Sequence, residues 1–220
     1  MVEGMIGRPG VGPKWDSVPN PASPVIHPGN KGISHAVVYL NRVDGERIPW
    51  AYPPVSIKLI DSKILLNQGD VERPVGFIPL GSEIELVSRE LDYQMLRARG
   101  AAFFTVALPR PNHPEKRRFD HSGHISFTSG TGYFWSEVDA FVCEHSYYVL
   151  TDANGAFELT GVPLGSYEIV AWLKNWTILS KDRDPETGKI MRLNFDKPFT
   201  TTQSVNVVEG RTAKVELQLP

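Results

Sequence analysis

Short segments in which apolar and polar residues alternate constrain the fold of this chain more than any other feature. In residues 55–59, 83–86 and 213–219 every second side chain is apolar, and the side chains between them are polar or charged. Such a period of two directs one row of side chains into a core and the other row into water, as in a half-buried β-strand. The pattern therefore predicts sheets that each bury one face.

Turn-forming residues separate these segments at regular intervals. Pro53 and Pro54 precede one alternating segment, and the run from Asp152 to Gly155 ends another stretch rich in β-branched and aromatic residues. Asn-Gly supplies the positive φ angles that a tight hairpin requires. Short strands with such punctuation favour an all-β chain built from sandwiches.

Helical periodicity is weak throughout the sequence. Its strongest candidate is residues 88–100, where Leu91, Met95 and Ala98 recur at helical spacing. The polar residues 182–189 predict an exposed loop between two strands.

Composition excludes several function classes. The 23 basic and 25 acidic residues give a net charge of -2, which provides no electrostatic footprint for nucleic acid. Cys143 is the only cysteine, so no disulfide can form within the chain.

No apolar run approaches the roughly 18 residues that span a bilayer. The first residues lack the basic and apolar regions of a secretory leader, so we expect either a cytoplasmic protein or a chain that begins after a removed leader.

Residues 1–33 contain six of the eighteen prolines. Proline interrupts helices and removes backbone donors, so this stretch predicts an extended arm. A disordered tail is the alternative. Trp15 favours an arm that lies on a surface, because free tails are poor in aromatic residues.

The stretch from Ala140 to Trp172 carries a resemblance to a known family. It contains the segments 145–152, 154–159 and 162–167, in which an Asn-Gly turn and a Pro-containing turn separate strands. It resembles bacterial periplasmic proteins of the methylamine-utilisation type. The resemblance implies an all-β chain with a Greek-key, cupredoxin-like sandwich and then a small transthyretin-like (prealbumin-like) β-sandwich of the carboxypeptidase-regulatory type. The implied domains are an arm (1–33), the cupredoxin-like sandwich (34–145) and the regulatory-like module (146–220).

The same resemblance places four copper-ligand positions in the chain. Residues 88–94 resemble the segment that carries the first copper imidazole, and residues 130–136 resemble the loop that carries the other ligands, with Trp135 kept. The implied ligand positions are Gln94, Gly130, Tyr133 and Ser136. A blue-copper site needs one thiolate and two imidazoles, and none of these residues supplies either. We therefore expect no type-1 copper, no other cofactor and no redox activity.

Histidines near one another give a second candidate site. His113, His121 and His124, with Asp120, could hold zinc or nickel. On a strand, however, residues three apart point to opposite faces, which favours surface histidines without a shared ligand. Cys143 lies two residues from His145, a spacing that allows a nucleophile with its base, but a core cysteine is the favoured interpretation.

Aromatic residues beside prolines give candidate interface anchors. Trp15, Trp50 and Tyr52 lie in segments that do not read as core strands, and exposed aromatic side chains anchor many interfaces. Burial within the chain is the alternative.

Together these observations predict a non-catalytic binding or structural protein that is periplasmic or extracellular. Its partners would be proteins of a larger assembly, membrane-associated or redox-active, and a peripheral association with a membrane stays open. Two other hypotheses stay open: a metal-binding protein using His113, His121 and His124, and a module that binds carbohydrate or peptide through exposed aromatic residues.

Overall fold

The computed structural model describes the backbone of residues 5–9, 15–43 and 48–220, and the side chains of residues 20–43 and 48–220. In this part of the chain every regular element is a β-strand, which confirms the all-β prediction. It contains no helix long and apolar enough to cross a membrane. Numbered along the chain, the strands are β1 (Met5–Pro9), β2 (Trp15–Pro19), β3 (Val25–Ile26), β4 (Ile33–Ser34), β5 (Val37–Asn41), β6 (Val55–Ile60), β7 (Lys63–Gln68), β8 (Val71–Glu72), β9 (Val75–Pro79), β10 (Glu83–Ser88), β11 (Gln94–Gly100), β12 (Phe104–Leu108), β13 (Glu115–Arg118), β14 (Gly123–Ser129), β15 (Glu137–Cys143), β16 (Tyr148–Leu150), β17 (Gly165–Leu173), β18 (Ile178–Arg183), β19 (Ile190–Phe195) and β20 (Phe199–Val207).

The chain forms two compact units, each assembled from separate stretches of sequence. The first unit comprises the described residues through Ser23 together with Tyr52–Glu144 and Trp176–Asp196, and the second comprises the described residues of Pro24–Ala51, His145–Asn175 and Lys197–Pro220. These limits differ from the predicted boundaries at residues 34 and 146. The difference arises because strand pairing joins residues that are far apart in the sequence.

Two five-stranded sheets form most of the first unit. Their strand orders are β13-β10-β6-β7-β8 and β12-β11-β14-β15-β9, and the chain passes repeatedly from one sheet to the other. Most neighbours are antiparallel, but β6 pairs with β10 and β9 pairs with β15 in parallel. The alternating residues of these strands supply the core that the pattern predicts. Its buried residues are Val55, Ile57, Leu59, Ile64, Leu66, Ile78, Ile84, Leu86, Leu96, Ala98, Val106, Leu108, Phe119, Ile125, Phe127, Ala140 and Val142.

The helix predicted over residues 88–100 is wrong. Residues Gln94–Gly100 form β11, which pairs with β12 on one side and β14 on the other. Leu91, the first member of the helical pattern, is 88% exposed in the loop before the strand. Ladder hydrogen bonds on both edges of β11 outweigh a local helical spacing of three side chains.

The second unit contains a four-stranded sheet with the order β16-β5-β17-β20. Here β5 lies between β16 and β17, although more than a hundred residues separate it from both. The face of this sheet that carries Val38, Leu40, Ile169 and Ala171 is buried in a separate hydrophobic core.

Two segments that the sequence predicts as strands do not pair as strands. The burial of residues 156–159 and 213–219 alternates as expected, but neither segment belongs to a sheet. Of the strands predicted on either side of the Asn-Gly and Pro-containing turns, the one in residues 154–159 is therefore not formed. The turn itself is formed: Asp152 N–H donates to the Ala156 carbonyl at 2.9 Å, and Gly155 has a φ of 78°.

Candidate functional site

Gln94 is the buried polar centre of the region that the resemblance marks as a ligand site. It is the first residue of β11 and is 1% exposed. Its Oε1 accepts a hydrogen bond from Thr131 Oγ1 at 2.8 Å, and its Nε2 donates to the Tyr133 hydroxyl at 3.3 Å. A buried amide needs such partners, because leaving it unsatisfied would cost about 1–3 kcal/mol. The result is a neutral network of one amide and two hydroxyls.

Gly130 allows the loop of residues 130–136 to lie directly on β11. Its N–H donates to the Met95 carbonyl at 2.7 Å. A Cβ at this position would come within 2.9 Å of three Met95 side-chain atoms, closer than ordinary contacts allow. The loop backbone at Gly130 therefore packs closely on β11, and glycine has no side chain that could bind a metal ion.

Trp135 bonds to the turn between β6 and β7, and Ser136 bonds to the beginning of β7. Ser136 Oγ accepts from the Ile64 N–H at 2.6 Å, and Trp135 Nε1 donates to the Ser62 carbonyl at 3.2 Å. Of the four implied ligand positions, Gln94 and Tyr133 are thus linked by a hydrogen bond. The Ser136 hydroxyl instead bonds to the backbone of β7.

The hairpin of β18 and β19 packs against the same loop. Phe134 forms a small buried cluster with Ile190 and Leu193, and the Phe134 and Trp135 rings meet edge to face at 5.2 Å between centroids. Thr131 and this hairpin were not among the residues singled out from the sequence. The hydroxyl-bearing residues on both sides of Gly130 weakly indicate that Thr131 could take part in a polar network. No local sequence pattern indicates that residue 190 packs against residue 134.

The structure does not group the residues of the alternative metal site. His113 and His121 are exposed in loops, whereas His124 lies on β14. His124 Nε2 lies 2.7 Å from Asp139 Oδ1, and its ring packs 5.4 Å from that of Phe141. Within the side chains described, no three His, Cys, Asp or Glu residues are grouped closely enough to hold a metal ion.

Cys143 is a core residue. It is buried at the end of β15, where its Sγ donates to the Phe141 carbonyl at 3.2 Å. Burial raises the pKa of this thiol far above its usual value, with a smaller opposing effect from the Ile78 backbone. Because the thiolate is the nucleophilic form, the side chain is unreactive at neutral pH. His145, in the second unit, is buried against the rings of Tyr147 and Tyr148.

The predicted interface residues differ in their surroundings. Trp50 and Tyr52 are both half-buried, and the Tyr52 ring packs 5.1 Å from Phe77. Burial raises the pKa of Tyr52, and the positive charge of Arg73 partly offsets this increase. The side chain of Trp15 lies outside the described residues.

The first unit is thus a two-sheet β-sandwich whose loop 130–136 is closed by hydrogen bonds and an aromatic cluster. No protein-family model matches the chain, and no curated protein sequence matches it. Among solved structures, the chain is similar to a purple cupredoxin from Nitrosopumilus maritimus, at 9% identity over 41% of this chain and 99% of that one, with a TM-score of 0.32.

Two further solved structures are similar to the chain at comparably low identity and TM-score. An oxidised amicyanin mutant shares 12% identity over 48% of this chain and 98% of its own, with a TM-score of 0.32. A copper-containing nitrite reductase from Thermus scotoductus shares 14% identity over 48% of this chain and 25% of its own, with a TM-score of 0.31. At these scores the similarity concerns the course of strands in less than half of the chain, and we take no chemistry from it.

Proposed function

We propose that this chain is a non-catalytic β-sandwich protein that acts outside the cytoplasm as a binding or structural subunit of a larger assembly. The observation that supports this most is the network around Gln94. The side chains of Gln94, Thr131 and Ser136 each form a hydrogen bond with a neighbour within the first unit. A site poised for catalysis or ligation would instead hold titratable or ligating groups.

The chemistry of the loop supports the same conclusion. A thiolate and imidazoles are the ligands that copper needs, and the loop offers an amide, hydroxyls and a tryptophan. The location outside the cytoplasm and the regulatory-like nature of the second unit rest on the resemblance of residues 140–172.

Copper titration of the purified chain tests the non-catalytic part of the proposal. The matched comparison is the double variant Gln94→His, Tyr133→His, which introduces two imidazoles at side chains that already meet at 3.3 Å and leaves Gly130 unchanged, because a Cβ there would clash with Met95. We expect the unsubstituted chain to show no blue absorption and no reversible electrode response with Cu²⁺, and the variant to gain copper binding. A blue unsubstituted chain would refute the proposal.

Cross-linking in native extracts tests the assembly. We expect a tagged chain to be recovered in one complex of fixed composition, and the double variant Trp50→Ala, Tyr52→Ala to reduce its yield. A chain that stays monomeric in every extract would contradict the subunit role, whatever the outcome of the copper titration.

A further inference from the structure

The four-stranded sheet of the second unit ends in a long strand whose outer edge no described strand covers. β20 is the last strand in the order β16-β5-β17-β20, and it pairs with β17 along all nine of its residues without a register shift. Alternate residues of an antiparallel strand direct their N–H and C=O groups to opposite sides, so about half of these groups point away from β17. The strand therefore presents a regular row of donors and acceptors at the end of the sheet.

This edge differs from the other edges of the three large sheets. The other end strands, β8, β9, β12, β13 and β16, are two to five residues long, and β13 consists of charged residues alone. Short or charged end strands are a usual means by which proteins prevent edge-to-edge association. β20 has nine residues, none of which is charged and none of which is proline. Among these end strands, β20 alone is both long and uncharged.

The core of the second unit holds β20 in place. Val205 and Val207, which lie on one face of the strand, pack against the buried residues of that core. The alternate residues on the other face are all polar and exposed: Thr200, Thr202, Ser204 and Asn206. Because the strand is already ordered by β17 and by the core, a partner strand would bind to it at little cost in chain entropy.

The sequence of β20 matches its own antiparallel copy. If a two-fold axis passes through Gln203, the middle residue, each side chain lies opposite the one at the same distance on the other side of the axis. The resulting pairs are Phe199 with Val207, Thr200 with Asn206, Thr201 with Val205 and Thr202 with Ser204. Aromatic, β-branched and hydroxyl-bearing side chains in such cross-strand pairs stabilise sheets. Lys197 and Glu209, two residues beyond either end of the strand, carry opposite charges, so this register sets no like charges against each other.

This self-complementarity favours a second copy of the chain over a strand of another protein, because β20 offers no charged side chain that would select a different partner. We propose that two copies of this chain associate through β20, antiparallel about a two-fold axis at Gln203, so that their four-stranded sheets form one continuous sheet of eight strands. The inference goes beyond the proposed function and does not depend on it. The purified chain reports the dimer, whereas native extracts report the assembly.

Sedimentation velocity of the purified whole chain measures the association. One pair of strands makes a small interface, so the concentrations run from about 1 µM to about 1 mM. We expect the sedimentation coefficient to rise from that of a monomer toward that of a dimer within this range. A chain that stays monomeric throughout would overturn the proposal and would leave the edge to a strand of another protein or to water.

Substitutions at Gln203 test the position of the axis. A residue on a two-fold axis faces its own copy, so Gln203→Lys and Gln203→Glu each set two like charges directly opposite each other. We expect each variant alone to dimerise about tenfold more weakly, and an equimolar mixture of the two to recover the association of the unsubstituted chain. Both variants should keep the urea midpoint of the unsubstituted monomer, because the side chain is exposed.

Gln218→Lys is the matched control, because it makes the same substitution at an exposed residue of the second unit that belongs to no sheet. We expect this variant to dimerise like the unsubstituted chain. Equal weakening by Gln218→Lys would mean that net charge governs the association, which would contradict the proposal. A mixture of the two Gln203 variants that associates no better than either variant alone would contradict it as well.

Discussion

At the scale of single residues, the loop region is held by partners that depend on one another. Gln94 supplies both an acceptor and a donor, and Thr131 also lies 3.1 Å from Ser129 through its hydroxyl. Removing one member of such a network leaves buried groups unsatisfied, whereas removing all members together leaves none.

Gln94→Leu alone is therefore expected to lower the free energy of unfolding by about 1–3 kcal/mol. Adding Thr131→Val and Tyr133→Phe should recover most of that loss, because the stranded hydroxyls are gone. Urea unfolding of the single, double and triple variants measures the effect. Costs that simply add across the three substitutions would show that the hydrogen bonds do not act as a network.

Cys143 provides a prediction about pH. Its pKa is higher in the folded chain than in the unfolded chain, because burial disfavours the thiolate. The stabilising contribution is complete below the unfolded pKa of about 8.5 and is lost as the pH rises past it, because only the unfolded chain then gains by ionisation. Cys143→Ala should remove this part of the pH dependence.

The measurement compares the urea midpoints of the chain and of Cys143→Ala at pH 7 and at alkaline pH. We expect a larger alkaline loss for the unsubstituted chain, and no labelling of the folded thiol by a disulfide reagent at neutral pH. Rapid labelling under native conditions would contradict the buried, protonated state.

At the scale of elements, the hairpin of β18 and β19 stabilises the loop that it covers. Leu193 is buried with Phe134 and Ile190, whereas Leu179 on the other strand is 64% exposed. The two leucines therefore form a matched pair in one hairpin, with one facing the loop and the other facing solvent.

Leu193→Ala is expected to cost about 2–4 kcal/mol of stability, since it leaves a cavity beneath the aromatic rings. Leu179→Ala should change stability by no more than about 0.5 kcal/mol. Urea unfolding followed by tryptophan emission reports both, because Trp135 packs against the cluster that contains Leu193. Equal costs for the two variants would mean that the hairpin contributes little to the loop.

The alternation predicts β6 and β10 correctly, but it fails for residues 213–219, which belong to no sheet, and for β11, where a buried polar residue interrupts it. In β6 and β10 the buried positions are apolar, so the period of two is plain. In β11 the first buried position is Gln94 and the half-buried Met95 follows it, which hides the alternation and leaves a helical spacing visible. Hydrophobicity marks which face is buried, but it cannot reveal that an amide is satisfied by a loop thirty-seven residues away.

Pairing partners are harder to predict than strands. The apolar run of residues 36–40 is typical of a buried strand, yet nothing local indicates that the strand it forms, β5, lies between β16 and β17. A continuous apolar run has no preferred register by itself, because both of its faces can be buried. This is why the predicted sandwich fold is correct while the limits of the two units are displaced from the predicted ones.

At the scale of the whole molecule, the interleaved segments make each unit depend on distant parts of the chain. Residues 146–220 alone lack β5, the strand that pairs with both β16 and β17. Without it, β16 loses its ladder and β17 keeps only β20 as a neighbour. A sheet reduced in this way buries too little apolar surface to offset the loss of chain entropy.

The fragment of residues 146–220 is therefore expected to show no cooperative thermal transition by circular dichroism, whereas residues 24–51 joined through a flexible linker to residues 145–220 should show one. Val38→Asp in the joined fragment is the matched control, because it introduces a buried charge into the face that carries Leu40 and should abolish the transition. Cooperative unfolding of residues 146–220 alone would mean that the second unit is complete without β5, in which case the boundary predicted from the sequence would be the physical one.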